Sequence, residues 1–331
     1  MSQISLKVLS KEDVAELLDL ESILSITEEV FKRFGNGEIY SPAKESLPLQ
    51  EKSLPGMHWI NSMPAFLKYE DIVGIKWVNV TSENIQRNLP VTMGVILLND
   101  AITGLPIAIV DGTWITHIRT GASSAIGAKL FARKNSKIIT LVGCGAEGLT
   151  NLIATCTYFD FEEIRLVDIN PEAINQLKMK LPENLQSLVL AYDSVEKAVR
   201  ESDIILLTTT AQIPLMKVAW AKPGDYISTI SCFADIDPEF VQAADKLYMD
   251  DKECATKRVR MMSGVQCEDE DVFGDICEVM AGKIPAREND EEIIVYTPAG
   301  MGAVDVGVAL EALKRSSKLT EQKEIVLAKQ V

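Results

Sequence analysis

Histidine is almost missing from this 331-residue chain: His58 and His117 are its only two. A mechanism built on imidazole, as acid, base or metal ligand, therefore has few candidates. Cysteine occurs six times (Cys144, Cys156, Cys232, Cys254, Cys267, Cys277), never at the spacing used by zinc sites. No metal is expected, and the thiols read as buried and free in a reducing compartment. Long apolar runs are absent too. Without ~18 uncharged apolar residues in a row, no membrane-spanning helix is expected. The opening MSQISLKVLSKEDVAELLDL has acids where a secretory leader would be apolar, so a cytoplasmic protein is expected. Positive charge is in deficit, with 33 Lys and Arg against 48 Asp and Glu, net −15. The densest basic stretch, Lys252 to Arg260, holds only four cations and reads as a solvated face. That excludes a nucleic-acid partner, whose backbone demands clustered cations. A small anionic substrate is still compatible, because one buried cationic pocket can coexist with an acidic surface.

With repeats and low-complexity linkers also lacking, what is present is globular: 47% hydrophobic and 24% charged. The length suggests two domains at ~150 residues each. Short apolar runs recur at 138–142, 164–167, 187–191, 204–207, 226–230 and 246–249, separated by helix-like segments such as 172–181 and 194–201. That rhythm indicates parallel strands with crossover helices, an α/β doubly wound Rossmann-type sheet. Before it, a helix over about 11–36 leads into strands near 58–63, 72–80, 92–98 and 106–110, then a helix over 114–133. A last helix, about 303–316, is expected to return to this smaller α+β domain. The expected division is 1–118 with 303–331, a discontinuous substrate-binding and dimerisation domain, and 119–302, the nucleotide-binding domain.

The strongest motif is Gly143-Cys144-Gly145-Ala146-Glu147-Gly148, directly after the strand IITLV and opening a helical run. A G-x-G-x-x-G match gains its meaning from that context. Gly143 permits the tight turn, Gly145 lets the backbone approach a pyrophosphate, and Gly148 lets helix and strand pack closely. The helix N-terminus then directs its N–H groups at the phosphates. Asp168 follows Gly148 by 20 residues, at the end of IRLVD, where a carboxylate can bind ribose hydroxyls. It would repel a 2′-phosphate, and Ile169-Asn170-Pro171-Glu172 brings no cation to hold one, so the cofactor expected is NAD. Thr208 and Thr209, at the end of the fourth strand, either line the cofactor cleft or belong to a turn.

Two cations stand in apolar surroundings: Lys76 in GIKW and Arg119 in ITHIRTGA. A buried cation is expensive unless paired or facing a cleft. Two readings stand, a clamp for a substrate carboxylate or structural pairing with an acid.

Met63-Pro64, GIKW at 74–77, VILLND at 95–100 with Thr103-Gly104, IRTGA at 118–122, GCGAEG at 143–148 and Gly300-Met301-Gly302 occur in one order along the chain. In that order they resemble the ornithine cyclodeaminase and mu-crystallin family. Its members include archaeal alanine dehydrogenases, ketimine reductases and an N-(2-amino-2-carboxyethyl)-glutamate dehydrogenase. The resemblance implies a Rossmann domain, a smaller domain whose sheet builds a homodimer, and a small amino-acid or imino-acid substrate between them against the nicotinamide. It assigns Lys76 and Arg119 to the substrate carboxylate and Thr92 to the same pocket. Read from the residues themselves, Met301, between Gly300 and Gly302, either approaches the nicotinamide face or belongs to a helix-entry loop. Lys44 stands where the family often has Arg, and supplies charge without a bidentate fork.

A second departure follows the fifth strand, in ISTISCFADIDPEF. Cyclodeaminases place an acid–base Asp where this chain has Phe233, and the nearest carboxylates are Asp235 and Asp237. Asp235 falls level with an Asp of the glutamate-linked dehydrogenases, which makes it, with Lys76, a candidate for the proton at nitrogen; loop capping is the alternative. The expected function is NAD(H)-dependent hydride transfer at the α-carbon C–N bond of an amino acid or its imine. The rivals are ornithine cyclodeamination with catalytic NAD, and a non-catalytic NAD(H)-binding regulatory subunit.

Overall fold

The computed structural model describes residues 3–49 and 58–329; the ends of the expected 1–118 and 303–331 ranges fall outside them. The chain divides into two compact units, Met1–Arg119 with Met301–Val331, and Thr120–Gly300. Arg119, Met301 and Gly302 therefore belong to the first unit, whereas the sequence reading puts them with the nucleotide-binding domain. Met301 and Gly302 lead into the C-terminal helix, which packs on the sheet of the first unit, and Arg119 bonds an acid in that helix.

The first unit is a mixed eight-stranded sheet. Its strands are β1 (Gln3–Leu9), β2 (Ile39–Tyr40), β3 (Glu45–Pro48), β4 (His58–Leu67), β5 (Ile72–Thr81), β6 (Thr92–Asp100), β7 (Pro106–Asp111) and the last strand of the chain, β16 (Lys323–Lys329). The order is β16-β1-β7-β6-β5-β4-β2, with β3 pairing β4, and only the β1–β7 pair is parallel. Period-2 alternation sends Gly74, Lys76 and Val78 of β5 inward and exposes Val73 and Trp77 on the opposite face. The inner face is covered by α11 (Gly302–Arg315), whose residues Gly302 to Leu310 are all buried.

One expectation fails here: the single N-terminal helix is two, α1 (Lys11–Leu17) and α2 (Leu20–Gly35). Leu18 is extended, and Asp19 caps α2 by accepting from the Ser22 amide at 2.9 Å. Apolar periodicity runs on through this break, so only the cap marks it.

The second unit is an eight-stranded, all-parallel sheet in the order β10-β9-β8-β11-β12-β15-β13-β14. These are β8 (Ile138–Val142), β9 (Glu163–Val167), β10 (Val189–Tyr192), β11 (Ile204–Leu207), β12 (Tyr226–Thr229), β13 (Lys246–Met249), β14 (Gly274–Asp275) and β15 (Ile294–Thr297). The helices are α3 (Thr113–Phe131, within which the unit boundary falls), α4 (Ala146–Thr155), α5 (Pro171–Lys180), α6 (Glu183–Gln186), α7 (Val195–Val199), α8 (Phe240–Ala243), α9 (Lys252–Ser263) and α10 (Ile276–Met280). β11, β12, β13 and β15 are buried at every position, as strands covered on both faces must be. β15 is missing from the apolar runs recognised in sequence, although it sits between β12 and β13. Little helical pattern precedes it, so the strand–helix–strand rhythm does not announce it. Strand order reverses between β8, flanked by β9, and β11, the switch point at which open α/β sheets bind ligands. Among the described residues, no helix is long and apolar enough to cross a membrane.

Candidate functional site

In the first unit, Lys76 is 1% exposed and its Nζ lies 2.8 Å from Asp305 Oδ2. Arg119, on α3, donates from Nε to the other oxygen, Asp305 Oδ1, at 3.0 Å. Asp305 is fully buried in α11. Both readings of the cations thus meet in one cluster: the pair does share a structural acid, and the three groups sum to one positive charge when Lys76 is protonated. Lys76 Nζ also donates to Thr116 Oγ1 at 3.2 Å. The Thr116 hydroxyl in turn donates to the Gly112 carbonyl at 2.6 Å, which turns its lone pairs toward Lys76. Burial, and next the Arg119 cation, lower the Lys76 pKa to about 7; Asp305 opposes them and Lys44 adds to the lowering. Half-buried Lys44 is thus electrostatically linked to the cluster. Thr92 faces the same side of the sheet as Lys76, on the β6 strand that pairs with β5.

Asp305 and Thr116 escaped the sequence reading. A signal existed for Asp305, an acid inside the apolar run GMGAVDVGVAL, which is the mirror of the argument that singles out Lys76. Met301 is buried at the N-terminal flank of α11, and a Cβ on Gly302 would stand 2.6 Å from the Met63 carbonyl oxygen. Of its two expected readings, this geometry is that of a helix entry. His117 and Arg119, two apart on α3, do not share a helix face.

In the second unit, the glycine turn follows β8 and opens α4, with Gly145 as the N-cap. Gly143 has φ +96°, and a Cβ there would meet the Thr208 carbonyl oxygen at 2.9 Å. A Cβ on Gly148 would lie 2.2 Å from the Gly143 oxygen, whereas one on Gly145 would meet nothing within 4 Å. The turn is therefore closed behind and open in front, where the first-turn amides of α4, Ala146 and Glu147 included, lack helical acceptors. Thr208 seals the back, its hydroxyl donating to the Gly143 carbonyl at 2.8 Å. Asp168 ties β9 to the turn by accepting from the Cys144 amide at 2.7 Å and the Asn170 amide at 2.8 Å. Each carboxylate oxygen keeps a second lone pair, the acceptor a ribose hydroxyl needs. This donor set fits an adenine dinucleotide. Burial raises the Cys144 thiol within the turn to about 12, which keeps it neutral.

In the loop after β12, the carboxylates Asp235 and Asp237 differ in setting. Asp235 is fully buried, and three hydroxyls donate to its carboxylate: Thr229 at 2.7 Å and Ser231 at 2.5 Å to Oδ1, Thr209 at 2.8 Å to Oδ2. Burial raises its pKa despite these donors. Asp235 thus braces the ends of β11 and β12, directed inward from a loop in which Cys232 and Phe233 take φ +56° and +68°. Residues other than glycine adopt that region only under tight constraint. Phe233 packs in the core, and Asp237 accepts from the Glu239 amide at 3.2 Å, an Asx turn ahead of α8. Thr209 likewise belongs to the brace.

Residues 5–317 match the family model described as the ornithine cyclodeaminase/mu-crystallin family. The chain belongs to that family. The alanine dehydrogenase of Archaeoglobus fulgidus is 32% identical over 310 residues, covering 91% of this chain and 92% of the relative. The Thermococcus litoralis Delta(1)-pyrroline-2-carboxylate reductase, solved with NADH and L-proline, superposes with TM-score 0.86 at 29% identity, over 95% of this chain and 98% of that one. An archaeal alanine dehydrogenase dimer with bound NAD gives TM-score 0.88 at 30% identity, over 98% and 100%. This chain carries both the glycine turn and a buried Lys–Asp–Arg cluster, and Asp235, the acid expected after β12, is buried.

Proposed function

We propose that this family member is an NAD(H)-dependent oxidoreductase acting at the α-carbon C–N bond of an amino acid or its imine, as an amino-acid dehydrogenase or imine reductase. The observation that carries the reading is Lys76 and Arg119 converging on Asp305 inside an apolar helix face. Two buried cations held by one carboxylate suit a substrate carboxylate, with the Arg fork as its bidentate anchor. Lys44 and Thr92 extend the pocket. Bound NAD(H) supplies or accepts the hydride; Gly143, Gly145, Ala146, Glu147, Gly148 and Asp168 hold its phosphates and ribose, and Thr208 supports the turn from behind. Asp168 with no cation in the next four residues favours NAD over NADP. Lys76, poised near neutrality, exchanges the proton at the substrate nitrogen from Nζ. A cytoplasmic setting accords with six free thiols.

The test is an assay of purified protein against amino acids, and against keto acids with ammonia or amines, following 340 nm absorbance and ammonia together. Net NADH change with alanine/pyruvate or with proline/pyrroline-2-carboxylate is the expected outcome. Ammonia release from ornithine without net NADH would replace the reading with cyclodeamination. Silence in both channels with NADH still bound would leave a binding subunit.

A homodimer is the assembly we propose, through the outer sheet face where Trp77 pairs with Val95 across β5 and β6 and Val73 and Met93 are exposed alongside. Contiguous exposed apolar side chains on a sheet mark such interfaces. Sedimentation should show twice the chain mass, and Trp77→Glu should shift it to one chain; an unchanged dimer would place the contact elsewhere.

A further inference from the structure

A buried ion pair is weak evidence for stability, because desolvation of the charges cancels most of their attraction. The Lys76–Asp305–Arg119 cluster is therefore unlike an ordinary brace. Ala303, Val304, Val306 and Val308 around Asp305 are almost wholly buried, and an apolar residue would suit the helix better. What an apolar residue would not do is hold Nζ in one orientation. An ammonium has three N–H positions. Among the described residues, Lys76 Nζ meets Asp305 and Thr116, which occupy two of them. Its third position is an N–H when Lys76 is charged and a lone pair when it is neutral.

We propose that Asp305 is a positioning residue for the reaction, orienting Lys76 through one carboxylate oxygen and Arg119 through the other. The inference rests on the oxidoreductase reading above. With Asp305 and Thr116 holding two positions, loss of the third proton turns Nζ from a donor to the substrate into an acceptor, without moving the side chain. The other oxygen fixes Arg119 by Nε, which sets the plane of the guanidinium. An amide cannot do both tasks: Asn has one acceptor oxygen, and its NH2 would be turned toward a cation. The groups acting on Lys76 are Asp305 from α11, Arg119 and Thr116 from α3, and Lys44; of these only Asp305 is anionic.

In the oxidative direction Nζ must be neutral to take the proton, so kcat/KM rises with pH through the Lys76 ionisation. Asp305→Asn removes the one anion that favours the charged form, so the rise should move to lower pH by about one unit or more. At pH 8 kcat should fall about 100-fold, because the acceptor is no longer aimed, while NADH affinity, measured by fluorescence, stays within about twofold. Asp305→Glu keeps the charge but lengthens the arm. It should leave the pH limb in place and still lose at least tenfold in kcat, and it carries the test if Asp305→Asn does not fold. A pH limb in Asp305→Asn identical to wild type, or an Asp305→Glu enzyme with unchanged kcat, overturns the positioning role alone. Wild-type protein that binds NADH but turns over none of the panel overturns the underlying reading instead.

Discussion

Arg119→Ala is expected to lower kcat/KM for the amino or imino acid by about 100-fold or more, mostly as a raised KM, with NADH affinity unchanged. Truncating one partner of a buried, hydrogen-bonded charge pair formed on binding costs ~2–5 kcal/mol, and each 1.4 kcal/mol is about a factor of ten in binding. Arg119 has only 7% of its surface exposed, so water would not replace the lost fork at little cost. The same change removes the neighbouring cation that helps lower Lys76, so the Lys76 ionisation should move up from about 7. The oxidative pH profile of Arg119→Ala should therefore shift to higher pH, opposite in sign to Asp305→Asn. Steady-state kinetics across pH 6–9 read both effects. An Arg119→Ala enzyme with unaltered KM would mean that the carboxylate is held elsewhere.

In the nucleotide-binding unit, alanine at Gly148 should weaken NADH binding and destabilise the protein, whereas alanine at Gly145 should weaken binding alone. The added methyl on Gly148 would sit 2.2 Å from the Gly143 carbonyl oxygen, a backbone atom, with Leu141 and Thr208 each 3.2 Å away. Overpacking of this kind costs ~1–3 kcal/mol, and here relief must come from opening the turn itself. A loss of about 10- to 100-fold in NADH affinity is expected, with a lower melting temperature. At Gly145 the methyl meets no protein atom within 4 Å, so the folded state gains no strain. If the pyrophosphate lies against that open side, Gly145→Ala should lower NADH affinity with the melting temperature preserved. Calorimetry and NADH titration separate the two variants. Equal NADH affinity in Gly145→Ala and wild type would remove the phosphates from that face.

The two carboxylates of the loop after β12 illustrate why a site is harder to read than a fold. On the page of the sequence, Asp235 is simply an acid close to the place where the family uses one. Its direction depends on Cys232 and Phe233 taking left-handed backbone, and its neutral-side partners Thr209, Thr229 and Ser231 come from two strand ends. Neither fact has a local sequence signature, since Cys and Phe ordinarily avoid that region. The break between α1 and α2 failed for a related reason: one cap residue outweighs an apolar period that continues through it. β15 failed because helix-poor sequence leads into it.

What the residues alone determine here is whatever short-range chemistry dictates. Parallel strands follow from apolar runs separated by helical spacers, the phosphate cradle from three glycines between a strand and a helix, and the inward direction of Lys76 from the two-residue period of β5. Membership of a hydride-transferring family is legible for the same reason, because its motifs are local and ordered. The tertiary structure decided which acid meets the cations. Arg119 and Asp305 are 186 residues apart, and they touch only because α11 returns to cover the sheet of the first unit. Pair energies in a low-dielectric interior depend on separations of a few ångströms, and no sequence period encodes a distance between elements that meet only when the chain has folded.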